Sequence, residues 1–127
     1  MKKEKTIRGK PFMFGIDSAK KARRRVTEQE EDGARLIGGR RHVGSGAIAG
    51  LKSDASSEDW QQESKQTAGK SIGLKLEWLN KIYVEARQQN KKPMMHLRFT
   101  NIPEYMTVYQ DWVVIPADIF GKLIGKC

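Results

Sequence analysis

The sequence predicts a single α/β domain in which one mixed β-sheet is flanked by helices. Two observations carry this. A chain of 127 residues suits one domain with one modest core and leaves little for a second. Its periodic stretches run helix, strand, strand, long helix, strand, strand, helix, the pattern of one sheet whose faces the helices cover, with no internal repeat.

Residues 1–25 read as a basic, flexible N-terminal arm, partly disordered or loosely helical, and 26–127 as the folded domain. The arm holds ten Lys or Arg against Glu4 and Asp17, ten less two, so eight of the nine net positive charges lie there. Few large apolar residues accompany them apart from PFMF at 11–14. VTEQEEDGARLIGG then predicts a short helix. Thr27 is placed to cap it with Glu30 at the capping-box spacing, acidic residues fill the first turn, Ala34 and Ile37 face the core, and Gly38-Gly39 stops it.

RRHVGSGAIAGLK is basic and glycine-rich and predicts a short strand entering a flexible loop. WQQESKQ predicts a strand with Trp60, Gln62 and Ser64 on one face and Gln61, Glu63 and Lys65 on the other. Ser71 is placed to cap a helix from about Ile72 to Gln89, with Leu74, Trp78, Leu79, Ile82 and Ala86 forming its apolar stripe. KPMMHLRFT (92–100) and YMTVYQDWVVIP (105–116) predict two more strands, and ADIFGKLIG (117–125) a closing helix. Met94 and Met95 belong to the sheet core.

The net charge of +9 and pI near 9.8 favour a polyanionic partner, nucleic acid first. A basic helix lying on lipid needs a continuous apolar face, which is missing here. No apolar run approaches the roughly 18 to 20 residues that span a bilayer, and MKKEKTIRGK leads into no long apolar segment. A single cysteine, Cys127, excludes an internal disulfide and a cysteine-cluster zinc site. The expectation is a cytoplasmic protein without membrane contact.

Chemistry is expected around SDASSEDWQQESKQT (53–67). Magnesium takes hard oxygen ligands and keeps several waters, so one or two convergent carboxylates suffice to hold it. Asp54 precedes a short turn and Glu63 lies on the following strand, which lets the two meet. Lys65 shares the face of Glu63, where a cation can orient the attacking water or steady charge growing on a phosphate. Glu30 offers a third carboxylate. By itself, a Glu and Lys two apart on a strand is also the pattern of an exposed ion pair of little energetic worth. His42 and His96 have no nearby ligand partner and read as structural or close to DNA. Trp60, Trp78 and Trp112 read as core or dimer-contact residues, Trp60 anchoring its strand from the face opposite Glu63.

The ordered set Glu30, GARLIGGRR (33–41), GSGA (44–47), Asp54, ESK (63–65), Ser71-Ile72, LNKI (79–82), EAR (85–87) and KKPMMHLRF (91–99) resembles the PD-(D/E)xK nuclease superfamily. Within it the set is most similar to the small Holliday-junction resolvases of phage and archaeal type, over roughly residues 27–116. The resemblance implies a restriction-endonuclease-like fold. It implies that Asp54, Glu63 and the Ser64 carbonyl bind Mg2+, with Mn2+ as a substitute, and that Lys65 serves the nucleophilic water. Glu30 matches the helix glutamate of such resolvases, with Glu31 and Glu28 as alternatives. Ser45 matches a loop serine that approaches the scissile phosphate, and Arg40 and Arg41 would hold neighbouring phosphates. Arg23, Arg24 and Arg25 of the arm are further phosphate candidates, as are Thr67 and Ser71.

The expected function is therefore a magnesium-dependent endonuclease that resolves four-way junctions by paired symmetric nicks, working as a homodimer on branched DNA. A viral or mobile-element origin, and hence a host cytoplasm, accords with the phage-type resemblance. Two other readings stand beside it: another nuclease of this superfamily, such as a mismatch or restriction-type nickase, and a non-catalytic basic DNA-binding module.

Overall fold

A computed structural model describes residues 10–42 and 53–125 of the chain. A five-stranded mixed sheet in the order β1-β2-β3-β4-β5 carries three helices. The elements are α1 (Lys10–Leu36), β1 (Arg40–Arg41), β2 (Ala55–Ser56), β3 (Trp60–Thr67), α2 (Leu76–Gln88), β4 (Lys92–Phe99), β5 (Asp111–Val114) and α3 (Ala117–Leu123). The β1-β2, β2-β3 and β4-β5 pairs are antiparallel, while β3 and β4 run parallel, joined through α2. That crossover sets the register Glu63↔Met95, Ser64↔His96, Lys65↔Leu97. No helix among the described residues is long and apolar enough to cross a membrane.

α1 is much longer than the expected helix, and the capping role assigned to Thr27 is wrong. Thr27 lies inside one continuous helix that begins at Lys10 and crosses the boundary between residues 25 and 26. Pro11 sits in the first turn, where its missing N–H costs nothing, and the Ala, Lys and Arg that follow are good helix formers. The predicted stop is borne out. Gly38 takes φ of +66°, its N–H donates to the Arg35 carbonyl at 3.2 Å, and the Gly39 N–H reaches the Ala34 carbonyl at 2.8 Å. This pair of bonds is a Schellman ending.

α2 starts at Leu76, so Ser71 does not cap it. Lys75 occupies the N-cap without a side-chain bond, and Leu74, expected in the apolar stripe, lies ahead of the helix and is exposed. Gly73 explains the late start, since glycine is a poor residue for a helix's first turn. β5 is likewise shorter than 105–116, because 101–110, with Pro103, follows an irregular path. β2 is a strand the sequence reading did not separate from the loop.

The sheet's two faces differ in chemistry. On the α2 face, Ile82, Met95 and Leu97 form a small apolar cluster, with Ile72, Trp78, Leu79 and Val114 packed against it. On the α1 face the contacts are polar. Gln29 Nε2 donates to the carbonyls of Lys65 (2.9 Å) and His96 (3.2 Å), Gln66 Nε2 donates to Gln29 Oε1 (2.8 Å), and Gln62 Nε2 donates to the Gly33 carbonyl (3.1 Å). His96 is fully buried and bonds Asp111 at 2.7 Å, and Arg98 bridges Asp111 and Asp32. These bonds pair most of the layer's amides and charges, while Gln62 Oε1 and His96 Nδ1 are buried without a hydrogen-bond partner among the described residues.

Candidate active site

The site is built where β2 ends beside β3. On β3, β2 pairs only with Gln61 and Gln62, so β3 continues past it without a strand partner on that side among the described residues. Asp54 stands at that break. Its N–H donates to the Gln62 carbonyl (3.0 Å), its carbonyl accepts from the His42 N–H (2.8 Å), and its Oδ2 accepts from the Ser64 N–H (2.7 Å). The carboxylate is thereby pinned to the strand that carries Glu63. Because a strand residue's N–H and C=O project to the same edge, the Ser64 carbonyl faces this side as well. His42 braces the turn, its ring nitrogens meeting the Ser53 carbonyl (2.9 Å) and Ser56 Oγ (2.8 Å), a structural role within the expected alternatives.

Glu63 is half-buried and its carboxylate makes no hydrogen bond or ion pair among the described residues. Burial, then the negative charge of Asp54, push its pKa up to about 7; Glu85 adds to the rise, and Lys81 and Lys65 oppose it. A cation or a shared proton relieves two carboxylates that raise one another's cost in this way. Glu30 joins them from α1. Burial raises its pKa, the bond from Arg41 Nε at 2.9 Å lowers it, and Asp54 raises it again. Of the three helix glutamates considered, Glu28 and Glu31 are exposed and Glu30 alone faces Asp54. Arg41 is thus committed to Glu30, while Arg40 stays exposed at the rim.

Lys65 shares the Glu63 face but does not contact it. Its Nζ lies 4.4 Å from the centre of the Trp78 ring, with Lys75 Nζ at 5.6 Å from the same ring. Trp78 is therefore a perch for cations beside the carboxylates as well as a core residue. Arg23, Arg24 and Arg25 are exposed on α1, five to seven residues before Glu30 and so about 7 to 10 Å along the helix axis. Thr67 has a structural task, its carbonyl receiving the Thr100 N–H (2.8 Å) and its Oγ1 the Gly69 N–H (3.0 Å). Ser71 is exposed. Ser45 and the GSGA loop lie outside the described residues.

Three residues of the site were missed from sequence: Trp78, Lys81 and Glu85. The last two stand four apart on α2, a spacing that signals one helix face, but the motif reads as an ordinary solvated pair. Among the described residues no three His, Cys, Asp or Glu side chains gather closely enough to hold a metal by themselves. The donors present are Asp54, Glu63 and a backbone carbonyl. Such an all-oxygen set, with water completing the shell, is of the kind magnesium takes, and the Glu63 carboxylate has no protein partner among the described residues.

Comparison with family models, with curated protein sequences and with solved structures finds no match to this chain. The chemistry of the site must be read from its own geometry.

Proposed function

We propose that the protein is a magnesium-dependent, structure-specific DNA endonuclease with a restriction-endonuclease-like fold of the PD-(D/E)xK type, and that its substrate is the four-way junction. The observation that carries this reading is the juxtaposition of Asp54, clamped to the Ser64 N–H, with Glu63, half-buried, without a partner among the described residues and raised to a pKa of about 7. A surface ion pair has no need of that arrangement, whereas a divalent cation site does.

Asp54, Glu63 and the Ser64 carbonyl would hold the ion. When bound it lowers the pKa of its water and neutralises charge on the scissile phosphate. Lys65, steadied on the Trp78 face, supplies a cation to the water or to the phosphate oxygens. Water adds to phosphorus as the P–O3′ bond breaks, leaving a 5′-phosphate and a 3′-hydroxyl. Glu30 orders Arg41 at the rim, and Arg40 with Arg23, Arg24 and Arg25 supplies the sequence-independent grip on phosphates.

Paired nicks call for two sites related by a two-fold axis. The β5 edge supports a second copy of the chain as the partner. β5 is the last strand of the sheet, and Tyr109, Trp112, Val113, Phe120, Leu123 and Ile124 on or near it are 46% to 81% exposed. Side chains of this size, exposed to this degree, offer several hundred Å2 of apolar surface, approaching the roughly 800 Å2 that each partner gives to a standard interface.

The test is cleavage by purified protein with Mg2+ of four-way junctions, flaps and linear duplex of matched sequence. Preferential paired nicking of junctions is expected. Equal cutting of linear duplex would leave a nuclease but remove the resolvase reading, and no cutting of any substrate would leave a DNA-binding module.

A further inference from the structure

Glu85 is the most anomalous charged group in the fold. It sits on the inward stripe of α2 with Ile82 and Ala86, is 8% exposed, and its Oε1 is buried without a hydrogen-bond partner. Burying a carboxylate without a partner is costly, and chains avoid it unless a cation or donor stands nearby. The adjacent basic residue, Lys81, is one turn away on the same helix, yet it is exposed and forms no ion pair with Glu85 among the described residues. α2 packs over the face of β3 that carries Glu63, and the charge of Glu85 is felt there. The oxygen, without a partner among the described residues, is thus buried on the α2 side of the sheet, the side that carries Glu63.

We propose that Glu85 is a third carboxylate of the cation site, acting on the ion held by Asp54 and Glu63 through the ion's own water shell. This rests on the reading of Asp54 and Glu63 as metal-binding. The water-mediated role follows from magnesium chemistry, since the ion surrenders its waters reluctantly and is usually held by one or two direct carboxylates. A carboxylate one layer back accepts hydrogen bonds from the bound waters and adds negative charge. It would be a positioning residue in cleavage, orienting the water that Lys65 serves.

Titration calorimetry of the full chain with Mn2+ and with Mg2+, beside melting curves without metal, tests this. The variants are Glu85→Gln, the shorter Glu85→Asp, Asp54→Asn, and Glu77→Gln as an exposed control on the same helix. Outer-shell groups typically contribute about ten- to a hundredfold to metal affinity. Glu85→Gln is expected to bind Mn2+ that much more weakly while melting no lower than wild type, Glu85→Asp to fall between the two, and Glu77→Gln to match wild type. Wild-type affinity in Glu85→Gln, with binding still abolished by Asp54→Asn, would overturn the role of Glu85 alone. Failure of Glu85→Gln to fold would overturn it too, since the carboxylate would then be structural. Metal binding absent from wild type, or untouched by Asp54→Asn, would instead remove the parent reading of the site.

Discussion

Glu63 is where function and stability conflict most sharply. Its pKa in the fold, about 7, lies above the ordinary 4.5, so the protonated form is the one folding favours. Its favourable contribution is complete below about pH 4.5 and is lost as pH rises through about 7. Without metal, Glu63→Gln should therefore melt higher than wild type at about pH 8 and the gap should close towards about pH 5, with a gain of about 1 to 2 kcal/mol after allowance for partial solvent exposure. Melting curves across this range check it, and parallel curves for the two proteins would contradict it. Lys65 offers a second check: Lys65→Ala should lose about a hundredfold or more in cleavage rate, while Trp78→Leu, which removes the perch, should lose less and should shift the pH profile of the rate. An unchanged profile in Trp78→Leu would confine that residue to packing. At this scale strand parity made Glu63 and Lys65 legible, because alternation places side chains without knowledge of the rest, while Asp54 was read from its place before the turn. Glu85 was not legible, since the burial of one position in an amphipathic helix depends on which face the sheet takes.

At the scale of elements, α1 is positioned by a glycine rather than by a hydrophobic seam. A Cβ on Gly33 would fall against Gln62 Oε1 and within 2.8 Å of His96 Nδ1, both in the buried polar layer under the helix. Gly33→Ala must displace the buried Gln62 and His96 side chains or lift α1 from the sheet, and either strains the polar layer that includes the Gln29 bonds to the Lys65 and His96 carbonyls. A loss of about 1 to 3 kcal/mol is expected, with weaker cleavage because Glu30 rides on the same helix. Chemical denaturation measures the first, and a midpoint equal to wild type would show that the helix is held elsewhere. The polar layer also explains an error of reading. Periodicity finds apolar stripes, and α1 buries Gln29, Gly33 and Ala34, so the capping signs at Thr27 and Glu30 were the strongest local cues and pointed to a helix start that is not there. By contrast, α2 carries an ordinary stripe of Trp78, Leu79, Ile82 and Ala86 and was found, though its first turn was placed too early.

At the scale of the molecule, charge and apolar surface mark separate tasks. Basic residues line the exposed first half of the described α1 side chains and the Arg40 rim, whereas the β5 edge and α3 present large apolar side chains. Nothing in the alternation of β5 told that it would be the last strand of the sheet, because an edge strand and a strand inside a sheet can carry the same pattern. If the second copy sits there, Phe120→Asp should convert a dimer to a monomer in sedimentation and leave single nicks in place of paired ones, with metal binding intact. A Phe120→Asp protein that remains dimeric would move the interface elsewhere.

Asp54 and Glu63 are proposed to form a divalent cation site that cuts branched DNA. Cleavage of a four-way junction by wild type and by Asp54→Asn, each with Mg2+ and with chelator, tests it most directly. Paired nicks are expected from wild type with Mg2+ only, and none from a folded Asp54→Asn protein that still binds the junction. Cleavage that survives either chelation or the Asp54 substitution would contradict it.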